Sequence, residues 1–185
     1  MPYMYLTRTL TSDFTYKSYV KLTQTGLIKR VMETLQVNDL YPVRTPVTEV
    51  LGKDTEGDPP QCAFNYASAI GQLWYLCNNS RPDLTFAVSQ CARFSFCPRR
   101  CHALIRFGQY LKGTSDKGLI MKPMRTDTFV MDAYVDSDFL GVYGKEKRAD
   151  PDNVRSRTGF IILLNGCPIV WNSHSEVAGA AARRS

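Results

Sequence analysis

Phe160 to Trp171, FIILLNGCPIVW, is the stretch on which the fold turns. An apolar run, Phe160 to Leu164, leads into Asn165-Gly166 and then a second apolar run, Cys167 to Trp171. Asn-Gly suits a two-residue hairpin turn, because both central residues of that turn need positive φ. The pattern predicts a β-hairpin, with Phe160–Leu164 a strand covered on both faces. Upstream, Thr128 to Asp136 alternates. Phe129, Met131, Ala133 and Val135 fall on one face, and Val130, Asp132, Tyr134 and Asp136 on the other. Leu119-Ile120-Met121 reads as a shorter strand. Before Gly118 the period lengthens to that of helices. Leu27, Val31 and Leu35, beside Ile28 and Met32, predict one over Thr25–Leu35. Tyr66, Ile70, Leu73, Trp74 and Cys77 form a second stripe, stopped by Asn78-Asn79-Ser80. Leu84, Ala87, Val88, Cys91 and Phe94 form a third, with Asp83 as its cap. A fourth starts near Pro98 and runs through Leu104, Phe107, Tyr110 and Leu111 to a stop at Gly113. Helices first and an antiparallel meander second predict an α+β fold.

Between these parts, Tyr41 to Gln61 holds Pro42, Pro46, Pro59, Pro60, Gly52 and Gly57 and reads as a connector without regular structure. Apolar content of 44% and charged content of 22% are globular values. The net charge of +6 is concentrated. Residues 81–125 carry nine Lys/Arg against two Asp/Glu, while the flanking segments are close to balance. Such a patch is the footprint expected for phosphate backbones, and its bland counterpart is a solvated helical face. The candidate phosphate-facing set is Arg81, Arg93, Arg99, Arg100, Arg106, Lys112, Lys117 and Lys122, with Arg81 equally suited to pairing with Asp83. No window is apolar enough for a membrane helix, and the start lacks a signal-peptide pattern. The six cysteines therefore read as reduced thiols of an intracellular protein. Cys91, Cys97, Cys101 and His102 lack the paired spacing of a zinc site and read as residues of helix faces. His174 stands alone.

Taken in order, several blocks carry a resemblance. They are LTQTGLI (22–28), NYASAIGQLWYL (65–76), RPDLTFAVSQCARF (81–94), YLKGTSDKGL (110–119), AYVDSDFLG (133–141), SRTGFIILL (156–164) and CPIVWNS (167–173). Together they resemble the C-terminal part of the reverse transcriptase of copia-type LTR retrotransposons, running into its ribonuclease H domain, over roughly residues 20–178. The resemblance implies a thumb or connection remnant and linker in 1–61 and a basic helical connection in 62–125. The N-terminal half of a ribonuclease H-like domain would fill 126–185. It implies that the polymerase aspartate pair lies upstream of residue 1 and that later nuclease acids lie at or beyond the last residues. An ungapped carry-over places Arg183 where the family has a glutamate.

By its place in the motif, Asp136 would be the catalytic, magnesium-binding acid. Asp132 and Asp138 would share its face if the strand runs that far, unless they are solvated polar positions. Two Mg²⁺ ions need several carboxylates, so a chain with one such acid is expected to bind the ion weakly and not to cut. The partners implied are an RNA–DNA hybrid or other nucleic acid and the rest of a Pol polyprotein, without a membrane. The setting implied is the cytoplasm, within a virus-like particle, or the nucleus. The alternative is a stand-alone, non-catalytic module that binds nucleic acid or docks onto a polymerase.

Overall fold

The computed structural model describes residues 5–9, 19–48, 62–93, 100–124, 127–138 and 157–175. The expectations for residues 49–61, Phe94, Cys97, Pro98, Arg99 and Arg183 lie outside that set. Among the described residues the fold is mixed α+β, with four α-helices and two three-stranded antiparallel sheets. β1 (Tyr5–Thr9), β2 (Tyr19–Thr23) and β3 (Leu119–Met121) form the first sheet, and the first two were not signalled by periodicity. β3 pairs with β2, matching Leu22 to Leu119 and Val20 to Met121. Gly118 makes this approach possible, because a Cβ there would fall 2.2 Å from the Leu22 carbonyl oxygen.

The helices are α1 (Thr25–Thr34), α2 (Tyr66–Asn79), α3 (Thr85–Arg93) and α4 (Arg100–Gly113). Their apolar stripes meet in one core, where Ile28, Leu73, Leu76, Leu84, Leu104, Phe107 and Leu111 are fully buried. Asn65 starts α2, its side-chain oxygen accepting from the Ser68 amide at 2.9 Å, one of the donors that a helix start leaves over. Asp83 is not the cap it was expected to be. Pro82–Leu84 forms a 3₁₀ turn before α3, and the Asp83 carboxylate is occupied by Arg81. Gly113 ends α4 without a left-handed conformation. Its lack of a side chain instead admits Pro42, whose Cβ would lie 3.0 Å from an added Cβ.

The second sheet is β4 (Met131–Asp138), β5 (Arg157–Leu164) and β6 (Cys167–Ser175), in that order. The hairpin turn is as the sequence predicts, with Asn165 at φ 48° and Gly166 at φ 77°. The Asn165 side chain also accepts from the Val130 amide at 2.8 Å. β4 starts at Met131 rather than Thr128 and runs on to Asp138. β5 is half-buried, not doubly covered. One sheet face meets the helices, where the Trp171 indole donates to the Cys77 carbonyl at 2.9 Å. That carbonyl lies in the last turn of α2, which lacks helical donors. On the other face Met131 is 71% exposed and Val135 69%.

Candidate functional site

Arg81 is the most constrained charged residue described, 1% exposed. Its Nε and Nη2 donate to the two carboxylate oxygens of Asp83, at 3.0 and 2.9 Å. Nη1 donates to the Thr114 carbonyl and Nη2 to the Thr114 hydroxyl, each at 3.0 Å. That hydroxyl donates onward to the Tyr110 carbonyl at 2.8 Å, and the Tyr110 phenol donates to Asp83 at 3.2 Å. The guanidinium also sits 5.7 Å from the centre of the Tyr110 ring, within cation–π reach. The planar fork of arginine suits this two-sided bonding. The segment 81–83 is thereby locked to 110–114, and Arg81 leaves the phosphate-facing set. Beside this hub, burial pushes the Tyr110 phenol above its ordinary pKa, and the Asp83 charge adds to the shift. Burial likewise pushes the Cys77 thiol well up, with Asp83 the next cause.

The remaining basic candidates are dispersed in role. Lys112 donates to the carbonyls of Asn38 and Leu40, and Arg106 to the Thr45 hydroxyl at 2.9 Å. Both hold the loop after α1 against α4. Lys117 and Lys122 are exposed. Arg93 and Arg100 lie at the inner ends of α3 and α4, on either side of the undescribed 94–99.

Reduced thiols were expected throughout, and the structure corrects this for one pair. Cys62 and Cys101 form a disulfide, with their Cα atoms 5.6 Å apart, while Cys77, Cys91 and Cys167 are buried outside any disulfide. The pairing escaped sequence reading because the two lie 39 residues apart, Cys62 ahead of α2 and Cys101 in α4. His102 and His174 are exposed.

Asp136 lies within β4, opposite Gly159. It lines a cleft of about 270 Å³ between the second sheet and the 3₁₀ turn, with Tyr134, Trp171, Ser173, Pro82 and Thr85. Asp132 shares its face but lies four positions back, roughly 13 Å along a strand, too far to share an ion. Asp138 belongs to the strand and pairs in register with Arg157. Among the described residues no three His, Cys, Asp or Glu side chains come together to hold a metal. The described side chains by themselves therefore do not make up a two-metal centre, which needs several converging carboxylates. Sequence reading missed Thr85 and Trp171 as neighbours of Asp136. Their signal lay in the blocks RPDLT and CPIVW, but not their convergence. No described helix is long and apolar enough to cross a membrane.

No protein-family model matches the chain, and no solved structure matches it. Curated relatives do. The retrovirus-related Pol polyprotein from transposon RE2 of Arabidopsis thaliana is 34% identical over 113 residues, covering 60% of this chain and 7% of that one. The corresponding polyprotein from transposon TNT 1-94 of Nicotiana tabacum is 29% identical over 161 residues, 82% of this chain and 11% of its own length. The secreted RxLR effector protein 161 of Plasmopara viticola is 34% identical over 113 residues, and the match takes in 72% of it. The chain thus spans about a tenth or less of the transposon polyproteins it matches. Aligned over most of its length, the chain is a homologue of the retrovirus-related Pol polyproteins of transposons.

Proposed function

We propose that this chain is the part of a reverse transcriptase–ribonuclease H that grips an RNA–DNA hybrid between the two catalytic sites and does not itself catalyse. The observation carrying this reading is the place of Asp136. It sits in an antiparallel strand, on the face turned to a basic helical body, in a chain aligned with Pol polyproteins. Helices 62–125 would act as the connection and strands 126–185 as the ribonuclease H-like part. Phosphate contacts would come from Arg93, Arg99, Arg100, Lys117 and Lys122, since a duplex is held chiefly through its backbone. Arg106 and Lys112 would serve by shaping the helix that presents them. Mg²⁺ is expected to bind weakly, for want of converging acids. The sequence holds no Tyr-x-Asp-Asp turn, so primer extension should give background only. The rest of a Pol polyprotein is the natural partner, in the cytoplasm or nucleus.

Affinity for a labelled RNA–DNA duplex should fall with salt, with a slope of about −0.9 per phosphate contacted. Reversing the charges of Arg99, Arg100 and Lys117 together should weaken all sequences alike; unchanged binding would return the patch to a solvated face. RNA release from the hybrid should be equally absent in the chain and its Asp136→Asn variant, and cleavage that vanishes in the variant would defeat the non-catalytic reading. A second reading is favoured by the match to most of a protein named as a secreted effector. It makes this a stand-alone binding module, and duplex affinity that does not rise when the chain is joined to a polymerase segment would support it.

A further inference from the structure

The cleft below Asp136 has a structure that a metal site would not require. Strand register sorts its sheet wall into two rows. Tyr134, Ile161 and Trp171 stand opposite one another in the first, and Asp136, Gly159 and Ser173 in the second. The first row is aromatic and aliphatic. Tyr134 is 59% exposed, so its ring is available, while the Trp171 indole is fixed by its bond to Cys77. The second row is polar with a gap in its middle. A Cβ on Gly159 would meet nothing nearer than backbone oxygens at 3.9 Å. Thr85, 4% exposed, lines the same cleft, and its hydroxyl has no hydrogen-bond partner among the described residues. A buried hydroxyl left unpaired costs free energy that a ligand group can recover. At about 270 Å³ the space is smaller than the usual range for drug-sized ligands and suits one ring system with its sugar.

We propose that this cleft binds a single unpaired ribonucleotide, its base stacked on Tyr134 beside Trp171 and its ribose 2′-hydroxyl donating to Asp136. This rests on the nucleic-acid reading given above. Stacking on an aromatic wall tolerates any base, because every base has a π-face. A carboxylate accepts hydrogen bonds and repels phosphate, so the nucleoside part enters and the phosphates stay outside. Carboxylates bond ribose hydroxyls in this way in dinucleotide sites. The 2′-hydroxyl is the group DNA lacks, so the site distinguishes the strands of a hybrid wherever a ribonucleotide frays.

The test uses the full chain carrying Trp74→Phe, leaving Trp171 as the fluorescent residue, in EDTA so that no metal bridges to Asp136. Adenosine should quench Trp171 saturably, and 2′-deoxyadenosine should bind at least tenfold more weakly. Gly159→Val fills the gap with a residue suited to strands and should abolish the quench. Tyr134→Ala, an exposed position, should weaken both nucleosides alike, and Asp136→Asn should bring their ratio towards one. Equal affinity of the two nucleosides, or a quench that survives Gly159→Val with unchanged circular dichroism, overturns the proposal. Binding of an RNA–DNA duplex is measured in parallel. Duplex binding without nucleoside binding defeats the cleft alone, whereas nucleoside binding without duplex binding defeats the hybrid-gripping role and leaves the cleft standing.

Discussion

Arg81 decides more of the structure than any other single residue, because its bonds join segments about thirty positions apart. Replacing it by methionine would take the guanidinium from the Thr114 carbonyl and the Asp83 carboxylate, leaving them the Lys117 amide and the Tyr110 phenol. The expected loss is about 1–3 kcal/mol, since Arg81 is buried with its acceptors whereas Asp83, 44% exposed, can turn to water. Lysine should rescue little, having no planar fork. Urea denaturation measures both, and a loss below about 1 kcal/mol would mean that the hub is dispensable. The same neighbourhood sets a response to alkali. Cys77 and Tyr110 are both held neutral in the fold, with pKa values raised above those of the unfolded chain. Below about pH 8.5 both states keep the thiol proton and stability is complete. Above it the unfolded chain releases that proton and the folded chain does not, so stability falls as pH rises. Phenol loss adds from about pH 10. The urea midpoint should therefore drop between pH 8.5 and 10.5, and less steeply in Cys77→Ala. Equal slopes would remove Cys77 as the cause.

Elements whose causes are local were legible in the sequence. The stripes of α1, α2 and α4 and the Asn165-Gly166 turn each follow from residues a few positions apart. The cap assigned to Asp83 failed for the opposite reason, since Arg81 outbids the helix amides for the carboxylate once Thr114 and Tyr110 fix the guanidinium. Asp136 was legible as a residue through its motif, but the cleft around it was not, because Thr85 and Trp171 reach it from separate elements. Gly108 shows the same limit. Inside a helix, glycine to alanine ordinarily stabilises by about 1 kcal/mol. Here the added Cβ would fall 2.8 Å from Val37 and 3.1 Å from Leu35 where α1's exit crosses α4. Gly108→Ala should instead destabilise by about 1–3 kcal/mol. Gly108→Ala should cost less in a Val37→Ala background than in the native chain, and equal costs in the two would disprove the crowding.

At the scale of the molecule, the helical body holds the core while the second sheet presents an apolar face outward. Met131, Val135 and Val170 are exposed on it. Exposed apolar area of this kind, beside an edge strand, favours association. Val135→Lys should lower light scattering at a given concentration without lowering the melting temperature, and unchanged scattering would exonerate the face. The indole of Trp171 and the carbonyl of Cys77 are separated by 94 positions. A ribosome adding about 5–20 residues per second needs roughly 5–20 s between them. Throughout that interval the end of α2 must hold its shape with water in place of the indole. The sheet then arrives as a latecomer, so a pause in translation after α4 has emerged and before β6 is made should leave the helices folded and waiting.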